Sequence, residues 1–283
     1  MKRKINKTIL TAIITLIAIA IVAMFLFPIY VIVTSSFSPR TTLFQPFEFI
    51  PRELTIDIYR RVLFSPTSRF VSRLMNSLFV SLLSLAITLI LVIPSAYAFS
   101  RFKFVGRNSI LYGLFAFNQL AGGMGLAGLI ALYAILNYFN LLDSLMVLAL
   151  IYAAGGVPFN TWLLKTYFDT IPKDFDEAAL VDGASYLDIM FKVLLPMAMP
   201  GIATIAVFAF MGSWSEFIIA NTILMSEENY TLPLELNQLL ASPATNWNLF
   251  AATSILYAIP VVIMYMLTQR YLQAGLTMGG VKR

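Results

Sequence analysis

Neither cysteine nor histidine occurs among the 283 residues of this chain. Without cysteine, disulfides and thiolate chemistry are excluded, and the redox compartment cannot be read from the sequence. Without histidine, the chain lacks the commonest general base, the commonest metal ligand and the usual pH switch near neutrality. Charge is scarce too. Only 12% of residues are Asp, Glu, Lys or Arg, against about 25% in a soluble domain. No G-x-x-x-x-G-K-[ST] pattern exists to cradle ATP, and no Ser-His-Asp set, metal-ligand cluster or paired intramembrane carboxylates exist for catalysis. Apolar residues fill the space: 59% of the chain is hydrophobic and its mean hydropathy is +0.83. That composition is the mark of an integral membrane protein.

A spanning helix needs about 20 mostly apolar residues. Six segments qualify: 9–33, 74–99, 109–136, 145–164, 199–219 and 249–267. The basic start, Met1-Lys2-Arg3-Lys4, also fits a signal peptide. The apolar run that follows exceeds the roughly 7–15 residues of such a peptide, and no small-x-small cleavage site follows it. The expected fold is therefore an all-α integral membrane protein with six transmembrane helices in a single domain over 1–283.

Lys and Arg set the orientation. With the N-terminus inside, the inner segments hold thirteen of the nineteen basic residues. The outer loops 137–144 and 220–248 hold none. The other six, Arg40, Arg52, Arg60, Arg61, Arg69 and Arg73, fall in the first outer loop, 34–73, and run against the rule. The balance still places both termini in the cytoplasm of a multi-pass protein. That first loop also carries Glu48, Glu53 and Asp57, and its stretch 54–64 reads as a short amphipathic helix at the membrane surface.

One polar, acidic stretch lies between the long apolar runs, on the cytoplasmic side at 169–196. Pro172 can open a helix there, with Asp174, Asp176 and Glu177 in its first turns, where carboxylates favour the positive end of the helix dipole. Gly183 interrupts it. Ser185 can cap a second helix, with Asp188 completing an imperfect capping box, and Pro196 ends that helix before the fifth span. The stretch predicts two short helices meeting at a bend.

The same stretch contains Glu177-Ala178-Ala179, three residues, Gly183, nine residues, then Val193-Leu194-Leu195-Pro196. This resembles, position by position, the EAA loop of ABC importer permeases, with Val193 where Ile is usual. Asp182-Gly183-Ala184-Ser185, Phe159-Asn160-Thr161-Trp162 and Ile171-Pro172 look like the sugar-importer version of that loop. Asn76-Ser77, Ala96-Tyr97-Ala98 with Arg101-Phe102 and Gly106-Arg107, Trp214-x-Glu216-Phe217, Thr231-Leu232-Pro233 and the tail Gly275-Leu276-Thr277-Met278-Gly279-Gly280-Val281-Lys282 are similar to the same family. The resemblance covers nearly the whole chain and is to the second, six-span permease of maltose-type carbohydrate importers.

That resemblance implies a type I ABC importer permease fold with cytoplasmic coupling helices. It implies a second homologous permease subunit, a dimer of ABC ATPases that hold ATP and Mg, an extracytoplasmic sugar-binding protein and a sugar substrate, with no nucleic acid and no cofactor in this chain. The coupling residues it implies are Glu177, Ala178, Ala179, Asp182, Gly183, Leu195 and Pro196. Glu177 would pair with an arginine in the ATPase cleft, and Gly183 would make the bend. Gly275, Leu276, Thr277, Gly279, Gly280, Val281 and Lys282 would reach between the ATPases, although Met278 and Arg283 depart from the family's usual Ala and Gly. A frayed basic terminus fits the same residues.

Other features carry two readings each. Gly123-Met124-Gly125-Leu126-Ala127-Gly128 matches G-x-G-x-x-G, but no strand precedes it, so a dinucleotide reading fails. Its small residues fit close helix packing. They also fit a locally opened helix lining the translocation cavity, with Asn118 and Gln119 beside it. Glu216, an acid inside a predicted span, fits a substrate contact with Trp214 and Asn221, or a subunit-interface position. The third outer loop fits a contact with the binding protein, or a plain connection. Other classes remain: an ABC permease for peptides, phosphonate or metals, against which the sugar-type motifs speak, and a secondary transporter, which needs inverted repeats or coupling carboxylates that are not visible.

Overall fold

The computed structural model describes residues 2–39, 53–120, 125–241 and 246–279, and the described residues are helical with no strand. In chain order the helices are α1 (Lys2–Ser36), α2 (Asp57–Phe64), α3 (Phe70–Arg101), α4 (Arg107–Leu120), α5 (Leu126–Tyr138) and α6 (Leu145–Phe168). Then follow α7 (Asp174–Val181), α8 (Tyr186–Asp188), a π-helix (Ile189–Leu194), α9 (Leu195–Met197), α10 (Met199–Trp214), α11 (Ile218–Ile223), α12 (Leu232–Ala241) and α13 (Trp247–Gly279). Among the described residues, α1 from Ile9, α3, α6 and α13 to Tyr271 are each long and apolar enough to cross a membrane. Their prolines, Pro28, Pro94, Pro158 and Pro260, sit inside the helices, which membrane helices tolerate when neighbours re-satisfy the freed carbonyls.

Two of the expected spans are not single helices. The segment 109–136 is interrupted: α4 ends at Leu120 and α5 starts at Leu126, after an extended Gly125 with ψ 165°. A Cβ built on Gly125 would meet nothing within 4 Å. Gly125 itself is therefore outside a helix and without a close neighbour in this chain, and residues 121–124 of that motif lie outside the described residues. The segment 199–219 stops at Trp214, and α11 restarts at Ile218. The physical reason is the Glu216 carboxylate between them, which accepts from Ile219 N–H at 2.8 Å and Ala220 N–H at 3.2 Å. It satisfies the orphan donors of a new helix start.

Contacts divide the chain into two compact units, Met1–Val71 with Leu236–Ala258 and Ser72–Glu235 with Ile259–Arg283. In the first, α2 lies within the expected 54–64 stretch and buries Ile58 and Val62, four residues apart on one face. Tyr59 donates to Ser36 Oγ at 2.7 Å and its ring meets Phe37 at 5.1 Å. The apolar window of α1 is 0% buried, so this helix needs lipid or another apolar chain to cover it.

In the second unit, two buried clusters mark opposite ends of a helix bundle. One gathers Val92 and Tyr97 of α3, Leu164 and Phe168 of α6, Leu194 and Ile205. The other gathers Val80 of α3, Leu136 of α5, Leu148 of α6, Ile223 and Leu234. Leu148 and Leu164 are separated by about 24 Å at 1.5 Å rise per residue. Both α3 and α6 run from the second cluster to the first. The acidic loop and the α3–α4 turn therefore lie at one end of this unit, and the turns 139–144 and 224–231 at the other. Between the clusters, α3 buries a stripe of small hydroxyl residues, Ser77, Ser81, Ser84 and Thr88. Their 4-3-4 spacing keeps them on one face and lets helices approach closely.

The closest approach is between α6 and α10. A Cβ on Gly201 would stand 2.7 Å from Tyr167 Cγ and 3.1 Å from Tyr167 Cβ. These are the fixed inner atoms of that side chain, so the helices themselves must yield. Gly201→Ala is expected to cost about 1–3 kcal/mol through overpacking and to lower the Tm of the detergent-purified protein. An unchanged Tm would contradict the close approach.

Candidate coupling site: the acidic loop between the fourth and fifth spans

The loop is built as two short arms around a glycine. Lys173 caps α7, one residue after Pro172, and Asp174, Asp176 and Glu177 occupy its first turn. α7 ends in a Schellman motif: Gly183 N–H donates to Leu180 O at 3.0 Å, and Ala184 N–H to Ala179 O at 3.0 Å. Gly183 has φ +82°, and a Cβ there would touch nothing within 4 Å. The requirement for glycine is thus one of backbone conformation and not of space.

The second arm opens at Ser185, and the capping box is complete. Ser185 Oγ accepts from Asp188 N–H at 3.2 Å, and the Asp188 carboxylate accepts from Ser185 N–H at 3.2 Å. Asp188 also pairs with Lys192 at 2.5 Å, one turn on. The hydrogen bond from Lys192, then those from Ser185, hold its carboxyl down at about 2. The lowered folded-state value means that the cap's contribution is complete above the ordinary carboxylate range and is lost as pH falls through about 2. The arm then widens into the π-helix and tightens again at Leu195-Pro196, and the chain bends by 82° before α10. The Pro196 ring would clash with the carbonyl one turn back and offers no N–H to it, and the widened turn accommodates both. Pro196 does not itself end the helix, since the break falls at Ala198.

Glu177, Ala178, Asp182, Gly183 and Pro196 are exposed, while Ala179 packs on the core cluster and Leu195 is half-buried. α7 buries none of its own residues. Both arms also expose apolar side chains: Phe175 is 46% exposed, Val181 88%, Leu187 65% and Phe191 55%. The loop thus exposes a carboxylate together with apolar side chains on both of its arms.

The loop is fastened to a helix distant in sequence, which motif reading alone missed. Arg101, the last residue of α3, is nearly buried. Its Nη1 donates to Phe168 O and its Nη2 to Ile171 O, each at 3.1 Å, and its Nε lies 2.5 Å from Asp176 Oδ2 as an ion pair. Ser100 donates to Asp169 at 2.7 Å, and Lys165 pairs with the other oxygen of Asp169 at 2.6 Å. Burial pushes the Asp176 carboxyl above its usual range, and Arg101 opposes that push. A signal did exist: Arg101 follows a span end at Ala-Phe-Ser-Arg, as Lys165 follows the next but one.

The substrate-path residues fare differently. Trp214 is 1% exposed and stacks on Phe210, with ring centroids 5.5 Å apart, so its indole is turned inward. Glu216 caps α11 and receives the Tyr152 hydroxyl at 2.5 Å, so its oxygens are engaged within the chain. Asn221 is exposed on α11. Asn118 and Gln119 fall in the last turn of α4. Along the tail, α13 carries a helical backbone as far as Gly279, through Gly275, Leu276 and Thr277. Gly280, Val281 and Lys282 lie outside the described residues.

The family profile for "Binding-protein-dependent transport system inner membrane component" matches residues 55–278. The chain belongs to that family. It is 35% identical over 262 residues to the inner membrane ABC transporter permease protein YcjP of Escherichia coli (strain K12), covering 91% of each chain. It is 37% identical over 250 residues to the galactooligosaccharides transport system permease protein GanQ of Bacillus subtilis (strain 168), covering 88% of this chain and 87% of that one. To the maltodextrin transport system permease protein MdxG of the same strain it is 32% identical over 281 residues, covering 99% and 98%. Its fold superposes on a chain of a bacterial ABC transporter that imports the acidic polysaccharide alginate, with TM-score 0.80, 25% identity, and 94% and 97% of the two chains covered. This is an inner-membrane, multi-pass permease with an ABC importer permease fold.

Within that fold the motifs shared with the sugar-importer version prove to be contact partners. Asn76 Nδ2 donates to Glu228 O at 2.7 Å and to Tyr230 O at 3.0 Å, and Ser77 Oγ accepts from Leu232 N–H at 2.8 Å. Arg73 pairs with Glu235 and lies over the Tyr230 ring. Asp143, in a left-handed conformation with φ 59°, accepts from Met225 N–H, Ser226 N–H and Ser226 Oγ at 2.7–3.0 Å. Burial pushes its carboxyl up, but those hydrogen bonds outweigh burial and hold it below the usual range.

The Schellman bend yields a test. Gly183→Ala places a side chain in the left-handed region at a cost of about 1–2 kcal/mol. Protection of the Gly183 and Ala184 amides against hydrogen exchange is expected to fall by about tenfold, and less for Gly183→Asn. Equal protection in Gly183→Ala would show that the bend does not depend on glycine.

Proposed function

We propose that this permease carries a sugar or oligosaccharide across the cytoplasmic membrane by alternating access, driven by ATPase subunits that dock on the acidic loop. The observation that carries the reading is the exposed Glu177 on a glycine-bent loop that also exposes apolar side chains, on a chain related to galactooligosaccharide and maltodextrin permeases. The chain brings no ATP site of its own. ATP and Mg belong to the partner ATPases. When they close, the loop around Glu177 follows, the permease pair opens outward, and sugar passes from a docked binding protein.

Six crossings fit this reading: α1, α3, the α4–α5 pair, α6, α10 with α11, and α13. The 82° bend then marks where the coupling loop turns into the fifth span. Both termini and the loop 169–196 are cytoplasmic, which puts thirteen of the nineteen basic residues inside. In this reading the tail Gly275–Lys282 reaches between the ATPases.

Losing one partner of a close interfacial charge pair costs about 2–5 kcal/mol, and reversal adds repulsion. Glu177→Lys is therefore expected to reduce sugar-stimulated ATP hydrolysis in the reconstituted complex by about 30-fold or more. Normal stimulated turnover, with an oligosaccharide panel and the binding protein present, would sink the assignment.

Topology is testable because the chain has no cysteine. In intact cells, an impermeant thiol reagent is expected to label Asn221→Cys and to leave Ser185→Cys untouched until the membrane is permeabilised. Labelling of Ser185→Cys from outside would invert the orientation.

A further inference from the structure

α3 has an anchored loop at each end. At the acidic-loop end, consecutive residues Arg101 and Phe102 hold both arms. Arg101 reaches Asp176 in the first arm and the carbonyls of Phe168 and Ile171 at the end of α6. Phe102 meets the Tyr186 ring of the second arm edge-on, at 5.3 Å between centroids. The Arg101 and Asp176 side chains are only 7% and 13% exposed, so water cannot replace the pair. Asp176 Oδ1 is buried with no hydrogen-bond donor, so Arg101, with Lys173 adding to it, sustains its charge. Only a planar fork serves these acceptors together, and a lysine ammonium lacks that shape.

At its other end, the same helix carries Arg73, Asn76 and Ser77, which bind Glu235, the carbonyls of Glu228 and Tyr230, and the amide of Leu232. These residues belong to the loop opposite the acidic loop. Arg73 and Arg101 are separated by about 42 Å of helix at 1.5 Å per residue, and buried residues grip its middle at Ser81, Ser84 and Thr88.

We infer that α3 is the rigid link that couples the two faces of this permease, with Arg101 as its positioning residue at the ATPase-facing loop and Asn76 at the opposite loop. A loop tethered only by its chain ends would move α6 and α10 alone. The Arg101 clamp makes the first arm, the end of α6 and the end of α3 one body, and α3 carries the displacement to the 228–235 loop. Binding at one face then biases the other through differential contacts. This inference rests on the proposed coupling role of the acidic loop.

The test uses the complete complex: both permeases, the ATPases and the binding protein in proteoliposomes. Arg101→Gln and Asp176→Asn are expected to lower the maximal binding-protein-stimulated ATP turnover about tenfold, while the binding-protein concentration for half-maximal stimulation stays within about twofold. Arg101→Lys is expected to remain defective. Asn76→Ala added to Arg101→Gln is expected to lower turnover little further, because both interrupt one link. Wild-type turnover in Arg101→Gln, rescue by Arg101→Lys, or fully multiplicative losses would each overturn the inference. A second measurement does not depend on variant assembly. Phe102→Cys and Tyr186→Cys, bridged by a short thiol cross-linker in this cysteine-free chain, are expected to turn over as fast bridged as unbridged, because the two residues move together. Loss of turnover on bridging, reversed by cleaving the bridge, would overturn it. Glu177→Lys serves as the control. If that variant turns over normally, the coupling reading itself fails; if it is dead while the Arg101 variants are normal, only the α3 link fails.

Discussion

The guanidinium of Arg101 is the constraint around which this permease is arranged. It sits at the C-terminal end of α3, where a cation also favours the helix dipole, and binds the carbonyls of Phe168, the last residue of α6, and of Ile171 just beyond it. Its third partner, Asp176, belongs to a helix that buries no residue of its own. Eight residues of helix with only Ala179 packed on the core cluster would not hold a position by packing alone. The charge pair supplies what packing does not, and leaves Glu177 exposed.

The opposite end of the unit solves the same problem with hydrogen bonds. Asp143 gathers the chain after α11, Asn76 and Ser77 gather the segment before α12, and Glu216 starts α11. Each of these polar side chains lies next to a span end, where a backbone group has lost its helical partner. Their role also accounts for part of the basic excess in the first outer loop. Arg73 is not a loop cation but a buried residue in the first turn of α3, paired with Glu235. A paired, buried arginine serves packing and carries no topological signal.

Much of the coupling loop was legible in advance because its determinants are local. A glycine in a left-handed bend, a Ser-x-x-Asp cap and carboxylates in a first turn act within four residues of themselves, and the structure places Gly183, Ser185 and Asp176 accordingly. The departures are the π-helix and, with it, a helix that runs past Pro196 to a break at Ala198. The π-helix arises from Pro196 acting on a turn that is also fixed by buried Ile189, Met190 and Leu194, and periodicity carries no trace of such a conflict.

Hydropathy and charge by themselves determined that this chain is helical and embedded in a membrane, since lipid forbids unpaired backbone and lysine and arginine are costly to translocate. They could not determine where the third and fifth spans break, because an apolar run has the same hydropathy whether its helix is continuous or not. They could not distinguish Trp214 turned inward from Trp214 facing a solute. Nor could they pair Arg101 with Asp176 or Asn76 with Tyr230, residues 75 and 154 positions apart. Those pairings exist only once α3 and α6 lie side by side, and burial then gives each charge a single available partner.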